Sequence, residues 1–281
     1  LSLVLILGKT ALGAQRWLNI GGFSLQPSEF TKIVFIIVMA SYLGRVRLRI
    51  TEPASVFGAL VITGVPFALI LVQPDLGTAL MLIPILFAML FAAGTMKRYL
   101  IVIASSGILA LPVFWHFLKA YQQKRLLVFI NPDIDPLGAG YTIIQSKIAI
   151  GSGGIFGKGW LSGTQNLLNF LPERHTDFMF SVVGEEWGFI GGFIVIALYI
   201  ALIKRGFSIA EETTEIHGKL MAVGITTMLA FQVIVNVSMT LGLMPVVGLP
   251  LPLMSYGGSS LWTTMTCIGL LLNVKMRQTR F

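Results

Sequence analysis

Seven runs of apolar residues, separated by polar segments, are the feature that most constrains the fold of this chain. A helix needs about 20 apolar residues to cross the hydrocarbon core of a bilayer. A chain in lipid must also satisfy its own backbone hydrogen bonds, which a helix does. The runs therefore predict an all-α integral membrane protein, a polytopic helix bundle with helices near Glu29–Leu43, Pro53–Val72, Leu76–Ala93, Tyr99–Phe117, Phe178–Ile203, Leu220–Leu241 and Leu253–Val274.

The composition agrees with this class, because 55% of the residues are hydrophobic and only 11% are charged, which is outside the range of soluble globular domains. The net charge of +8 could indicate a nucleic-acid-binding protein, but no basic face interleaved with aromatic residues is present. Most basic residues lie in short clusters between apolar runs, as membrane topology requires. We therefore expect membrane lipids, and no nucleic acid, around this chain.

The basic residues of the short loops predict the side of the membrane on which each loop lies. Short loops rich in Lys and Arg stay in the cytoplasm, whereas long loops cross largely regardless of their charge. On this rule the cytoplasmic set is Arg45, Arg47, Arg49, Lys97, Arg98, Lys204, Arg205, Lys219, Lys275, Arg277 and Arg280. Asp177 and the segments around Trp17, around Asp75 and after Leu241 are then predicted on the outer side.

We interpret residues 1–281 as a single transmembrane domain that begins within a helix. Leu1–Leu7 is apolar but too short to span a bilayer, so it is predicted to be part of a truncated helix. A large outer loop is predicted at 119–177, and loops of this length are usually functional or disordered. Within it, Tyr141–Ile150 alternates apolar and polar positions at roughly helical period, which favours an ordered cap with an interfacial helix and Lys147 towards the head groups.

Asp177 lies where this outer loop meets an apolar run, at the predicted edge of the membrane. A carboxylate there is costly unless it is paired or hydrated, so it is a functional candidate. Two alternatives stay open, since Asp177 could cap the helix predicted to start at Phe178 and His175 is a rival base. Of Glu185 and Glu186, at least one is expected to have a structural polar partner between helices.

Other charged and aromatic residues form a second group of candidates. Glu29 and Lys32 are three residues apart on a predicted helix, a spacing that brings their side chains together. This pair could staple the bundle or line a substrate cavity. Arg16 and Trp17 suit an anion and a sugar face, although an interfacial Trp is usually a membrane anchor. Asp75 stands at a predicted helix start and could equally be a capping acid.

The sequence predicts neither a protein-held metal site nor a nucleotide-binding loop. No His or Cys cluster has the spacing of metal ligands. The GSGGIFGKG segment departs from a P-loop, because Ser152 stands in place of its first Gly and Gly159 in place of its Ser or Thr. The single cysteine, Cys267, cannot form an intrachain disulfide.

Several motifs together resemble one family. They are GAQRWLN, QPSEFTK, QPDLGTA, NPDIDPLGAGYTIIQSKIAIGSGGIFGKGW, LPERHTDF with GEEWG, and MPVVGLPLPLMSYGGSS. In this order they resemble the SEDS proteins of bacterial shape, elongation, division and sporulation, and GAQRW and GTQNLLNFLPERHTD are closer to the elongation branch than to the division branch. The resemblance implies a ten-helix bundle with a large extracytoplasmic loop, of which this chain lacks the first two helices and part of the third.

The resemblance also implies an activity, a location and partners. It implies a peptidoglycan glycosyltransferase that polymerises lipid II during elongation, on the outer face of the bacterial cytoplasmic membrane, beside a class B penicillin-binding protein transpeptidase. Asp177 matches the essential acid of the family and is the candidate general base. Undecaprenyl diphosphate would be the leaving group, and displacement would invert the anomeric carbon.

A departing diphosphate needs positive charge rather than a general acid. The cations expected near it are Arg16, Lys32, Arg125 and Lys147. Trp17 would contact sugar or lipid and Glu29 would hold Lys32, while Arg125 alone could be a solvated charge. The sequence indicates no certain cofactor, and a divalent cation, Mg²⁺ or Mn²⁺, could share this role.

Two other functions fit the same residues. A lipid II flippase could use Glu29, Lys32 and Asp75 as a polar path across the membrane. Transporters often contain internal repeats, however, and no convincing duplicate half is present in this sequence. A non-enzymatic scaffold for a transpeptidase would make every polar motif structural.

Overall fold

The computed structural model describes residues 1, 4, 8–11, 14–20, 23–131, 134–135, 138–168 and 170–278. The chain divides into two compact units. The first unit contains Leu1–His116, Ile203–Phe231 and Gly258–Phe281, and the second contains Phe117–Leu202 and Gln232–Gly257.

Helices account for most of the described residues. In chain order they are α1 (Pro27–Arg45), α2 (Pro53–Val72), α3 (Leu76–Ala92), α4 (Lys97–Phe117), α5 (Ala120–Ile130), α6 (Ala139–Ser152), α7 (Thr164–Leu167), α8 (Met179–Glu212), α9 (Ile216–Thr240) and α10 (Gly258–Gln278), with a short 3-10 helix at Arg47–Arg49.

All seven predicted apolar runs are helical, with differences at their ends. The run Pro53–Val72 is α2 at both boundaries, whereas α1 begins earlier, at Pro27, because proline is favoured in the first helical turn. The last helix begins at Gly258 rather than Leu253, because Leu253 has a φ of +66°, which is incompatible with a right-handed helix. The helix predicted to end at Ile203 continues to Glu212 as part of α8.

Among the described residues, five helices are long and apolar enough to cross a membrane: α1, α2, α4, α8 and α9. The apolar helix α3 is shorter, with 17 residues. A 20-residue helix such as α2 spans about 30 Å at 1.5 Å per residue, which matches a bilayer core. The chain is therefore a multi-pass membrane protein.

The segment around Trp17 is not a loop but part of a small antiparallel sheet, a feature that the all-helical prediction missed. Its strands are β1 (Lys9–Ala11), β2 (Ala14–Ile20) and β3 (Phe23–Leu25), in the order β1-β2-β3. Ile20 pairs with Phe23, and two glycines separate these residues in the sequence. A Gly-Gly pair between two short strands is a sequence signal of a hairpin, whereas an apolar run of about 20 residues detects only membrane-spanning helices.

In the first unit, α1 packs against α2, α3 and α10. Apolar side chains of α1 and α3 are fully buried there, including Ile36, Met39, Met81, Ile85 and Met89. Gly224 of α9 lies against Ile36 and Met89, with no room for a larger side chain. By contrast, α4 has no buried residue, and its exposed apolar surface suits contact with lipid.

The large loop predicted at 119–177 is ordered over its described residues and contains α5, α6 and α7. The helix predicted within it at Tyr141–Ile150 is part of α6. Ser146 of α6 is buried and fixes this helix in the second unit, since its hydroxyl donates to Thr240 O at 2.6 Å and lies 2.7 Å from Ser181 Oγ. The location of α6 in the membrane interface stays a prediction.

The assignment of residues 1–281 to a single transmembrane domain also stays a prediction. Most of the truncated helix predicted at Leu1–Leu7 lies outside the described residues, as does Arg280 of the basic set. Lys204 and Arg205 of that set lie within α8 rather than in a loop.

Candidate active site

Asp177 ends a short segment whose backbone is held firmly within the second unit. Residues 175–177 offer three consecutive carbonyl oxygens, and each accepts a hydrogen bond from a residue far along the chain. The donors are the Tyr256 backbone N–H to His175 O (2.7 Å), the Ser255 hydroxyl to Thr176 O, and the Asn236 side-chain amide to Asp177 O (2.9 Å). The position of the acid is therefore set by α9 and by the segment that follows it.

The carboxylate of Asp177 lies against the backbone of Gly248. A Cβ added at Gly248 would be 3.4 Å from Asp177 Oδ2, and this glycine has a φ of +72°. Such a backbone conformation strongly favours glycine. The half-buried acid thus lies beside a position of the main chain that has no side chain.

Two predicted cations of the second unit contact the same segment, residues 242–248. The Lys147 side chain crosses Gly242, where an added Cβ would lie 2.7 Å from Nζ. Arg125 Nη1 donates to Val246 O at 3.4 Å. The structure therefore brings Asp177, Lys147 and Arg125 to one stretch of backbone, with Lys147 and Arg125 exposed and available to an anion.

In the first unit, Asp75 is 2% exposed and caps α3. Its Oδ1 accepts from the Thr78 backbone N–H at 3.3 Å, so the capping interpretation is confirmed. Its Oδ2 accepts from Gln26 Nε2, Ser28 Oγ and Thr78 Oγ1 at 3.1, 3.2 and 2.9 Å. The QPSE and QPDLGT motifs are thus joined through one carboxylate.

Arg16 of β2 lies beside this carboxylate. Its Nη1 is 3.8 Å from Asp75 Oδ1, and its guanidinium also donates to Gln73 O and Pro74 O. Five-donor guanidinium groups suit such multiple contacts. The neighbouring Trp17 is half-buried in the same strand, and its contact with sugar or lipid stays a prediction.

Glu29 and Lys32 form the predicted ion pair on α1, with Lys32 Nζ 2.8 Å from Glu29 Oε1. Both residues are buried, at 3% and 0% exposure. Within the described part of the chain, Glu29 Oε2 has no hydrogen-bond partner. An unpaired buried acceptor is unusual, so the role of this pair beyond the ion pair stays a prediction.

The candidate residues thus form two sets: Arg16, Trp17, Glu29, Lys32 and Asp75 in the first unit, and Arg125, Lys147 and Asp177 in the second. Their convergence on a single outward-facing cavity stays a prediction. Over the described ranges, no group of three His, Cys, Asp or Glu residues could hold a metal ion.

Of the two glutamates in GEEWG, Glu185 has a structural polar partner, but this partner lies in a loop rather than on a helix. Lys158 Nζ lies 2.8 Å from Glu185 Oε1, and the same oxygen accepts from Thr164 Oγ1 and the Gln165 N–H at 3.2 and 3.0 Å. The GSGGIFGKG segment therefore has a structural role through Lys158, in addition to the contacts of its glycines with α8.

Sequence reasoning missed Asn236 and Ser255, which hold the backbone beside Asp177. Asn236 is an amide inside an apolar run, and this was the available signal, since a polar group at membrane depth is expected to have a partner. Ser255 lies in the MPVVGLPLPLMSYGGSS motif, but nothing in the motif indicates which backbone group its hydroxyl contacts.

Fold and site together define the class: a multi-pass helical membrane protein in which ordered polar segments hold acids and cations in fixed positions. A family model described as cell cycle protein, covering FtsW, RodA and SpoVE, matches residues 1–280. The chain is 45% identical to the peptidoglycan glycosyltransferase MrdB of Escherichia coli strain K12, over 95% of this chain and 72% of MrdB. It is 39% identical to the peptidoglycan glycosyltransferase RodA of Treponema pallidum, over 97% of this chain and 79% of that protein.

Two solved structures of related proteins are similar to this chain over its whole length. A chain of a peptidoglycan synthase complex that coordinates polymerization and crosslinking has a TM-score of 0.83 and 34% identity, covering 100% of this chain and 78% of that one. The rod shape determining protein RodA of Thermus thermophilus has a TM-score of 0.71 and 32% identity, covering 100% of this chain and 75% of that one. This chain therefore belongs to the FtsW, RodA and SpoVE family, the SEDS proteins, and is RodA-like.

Proposed function

We propose that this chain is a peptidoglycan glycosyltransferase that polymerises lipid II, with Asp177 as its general base. Its family relatives MrdB and RodA carry the name of this activity. The observation that carries the assignment of the base is the position of Asp177. Its carboxylate rests on Gly248, on the same backbone segment that Lys147 and Arg125 contact.

The reaction needs one carboxylate. Asp177 accepts the proton of the acceptor sugar hydroxyl, so that the oxygen can attack the anomeric carbon of a lipid-linked sugar. A carbon–oxygen bond to the acceptor forms while the bond to the diphosphate breaks, and undecaprenyl diphosphate leaves. Displacement in line inverts the anomeric carbon, which distinguishes this scheme from glycosidases that retain configuration with two carboxylates.

Negative charge develops on the departing diphosphate, and fixed cations stabilise it. Lys147 and Arg125 are the cations of the second unit for this role. In the first unit, Arg16 and Lys32 are the proposed cations for a lipid-linked diphosphate, with Glu29 orienting Lys32, Asp75 orienting Arg16, and Trp17 against sugar or lipid. A divalent cation bound with the diphosphate could add to this charge.

The setting of the reaction follows from the same proposal. The basic loops support a cytoplasmic membrane location with the site on the extracytoplasmic face. The solved synthase complex couples polymerization with crosslinking. We therefore expect a class B penicillin-binding protein transpeptidase as partner, and lipid II as substrate.

Replacement of Asp177 by Asn tests the base. The complete protein, purified with its transpeptidase partner, is assayed for glycan polymerisation on lipid II. We expect the rate to fall by about two to four orders of magnitude, as loss of a general base predicts. Glu211→Gln is the matched control, because it also removes one carboxylate but lies exposed near the end of α8. Full activity of the Asp177 variant would end the assignment.

A further inference from the structure

We propose that Asn236 is a positioning residue for this reaction, acting through Asp177. This inference rests on the proposed role of Asp177 as base. Asn236 lies in α9 and is fully buried, at 0% exposure. Its side-chain nitrogen donates to two backbone carbonyls, Asp177 O at 2.9 Å and Leu249 O at 2.7 Å. Both amide hydrogens are thus used, and they join two segments that are remote in sequence.

The two segments joined by Asn236 are the ones that define the position of the carboxylate. One contains the backbone of Asp177 itself. The other contains Leu249, which directly follows Gly248. Gly248 is the residue beside Asp177 Oδ2, since a Cβ added there would be 3.4 Å from this oxygen. This amide therefore links the backbone of the acid directly to the backbone beside its carboxylate.

The carbonyl oxygen of the Asn236 side chain differs from the side-chain nitrogen in its hydrogen bonding. Its Oδ1 is buried and has no hydrogen-bond partner among the described residues. An apolar residue at this position would avoid that unpaired acceptor, which is unfavourable in a buried site. An apolar residue would, however, leave the Asp177 and Leu249 carbonyls without the two donors that the carboxamide supplies.

Ser255 supports the same arrangement from the other end of the segment. Its hydroxyl donates to Thr176 O and accepts from the Leu251 N–H at 2.8 Å. It therefore also joins the backbone next to Asp177 to the segment that follows α9. Ser255 provides an independent variant for the test, because it is only half-buried.

The test uses the full-length protein in complex with its transpeptidase partner and compares two variants. Asn236→Asp keeps the shape of the side chain but loses its hydrogen-bond donors when ionised, and Gln232→Leu is the control. Gln232 is one turn earlier on α9, is 1% exposed, and has no part in the proposed site. We expect Asn236→Asp to lower kcat about 10- to 100-fold, the effect of a misplacement of about 1 Å. We expect KM for lipid II to change less than about threefold, because remote substrate contacts remain. Gln232→Leu should keep both constants.

A double-mutant cycle separates positioning from a general defect of the fold. If Asn236 acts through Asp177, Asn236→Asp should change the residual rate of Asp177→Asn less than about twofold. An equal further loss in that background would overturn the inference, as would a kcat of Asn236→Asp within twofold of the parent protein.

Ser255 gives the answer if Asn236→Asp does not fold. Ser255→Ala should lower kcat with little change in KM, and Ser255→Thr, which keeps the hydroxyl, should restore it. Equal kcat values for Ser255→Ala and Ser255→Thr would overturn the inference. Full activity of Asp177→Asn would instead overturn the proposed base, and this outcome is distinct from failure of the Asn236 or Ser255 variants alone.

Discussion

At the residue scale, the acids and cations of the candidate site have fixed partners. Asp75 accepts four hydrogen bonds and lies beside Arg16, and Glu29 pairs with Lys32. A buried charge without such partners would be expelled or neutralised. The polar residues that interrupt the apolar runs are therefore compatible with a membrane protein because they are paired.

The Glu29–Lys32 pair yields a prediction about stability. Lys32→Met leaves Glu29 buried without its cation, and breaking a buried pair in this way costs about 3–5 kcal/mol. We expect a strongly reduced yield of monodisperse protein and a lower Tm in detergent. The double variant Glu29→Gln with Lys32→Met removes both charges and should recover most of the Tm.

The double variant also separates the two interpretations of the pair. A folded but inactive double variant supports a role in the substrate cavity, whereas a folded and active one supports stapling alone. A double variant as unstable as Lys32→Met would contradict the paired-charge argument.

At the element scale, the break in α8 is the most unusual feature. Gly188 has a φ of +64° and a ψ of −158° inside this helix, which frees backbone groups on both sides. The loop at 154–159 satisfies them. Its hydrogen bonds run from Lys158 N to Glu185 O (3.0 Å), Gly159 N to Glu186 O (3.0 Å), Phe189 N to Gly154 O (2.8 Å) and Ile190 N to Ile155 O (3.2 Å). Irregular backbone within a membrane helix is tolerated when protein groups complete its bonds in this way.

Substitution of Gly188 should disrupt this docking. A Cβ there would overlap the Gly157 backbone nitrogen, and the positive φ disfavours any other residue. We expect Gly188→Ala to lower the Tm and the folded yield markedly. The matched control is Gly192→Ala, one turn later, where the added Cβ would be 3.5 Å from Phe180 Cζ, an ordinary contact. This control should be neutral or stabilising by up to about 1 kcal/mol, and equal Tm losses in both variants would contradict the role of the break.

At the scale of the whole molecule, the order of helices and basic loops predicts the orientation in the membrane. The only cysteine, Cys267, is fully buried, so it gives a low background for thiol labelling. Ser162 lies in the predicted outer loop and Thr214 between α8 and α9, and both are exposed. These two positions are predicted to lie on opposite sides of the membrane, and each accepts a conservative substitution by cysteine.

Labelling with a membrane-impermeant maleimide tests this orientation. Ser162→Cys should react in intact spheroplasts, because its loop is predicted outside. Thr214→Cys should react only after permeabilisation, because its loop belongs to the cytoplasmic set. The opposite pattern would reverse the orientation and remove Asp177 from the extracytoplasmic face.

The sequence alone determined the helical membrane class, the position of every long helix and the motifs of the family. It also predicted the Glu29–Lys32 pair, because residues three apart on a helix are neighbours. Hydropathy and helical spacing are local properties, so they can be read along the chain without knowledge of the fold.

Tertiary structure alone decided what holds those residues in place. Asn236 bonds to a residue 59 positions away, Gln26 to a carboxylate 49 positions away, and Lys158 to one 27 positions away. The break at Gly188 likewise depends on a loop that precedes it by about 30 residues. Such contacts depend on proximity in three dimensions rather than on spacing along the sequence. Each polar group needs a hydrogen-bond partner, but the sequence pattern does not identify a partner that is distant along the chain.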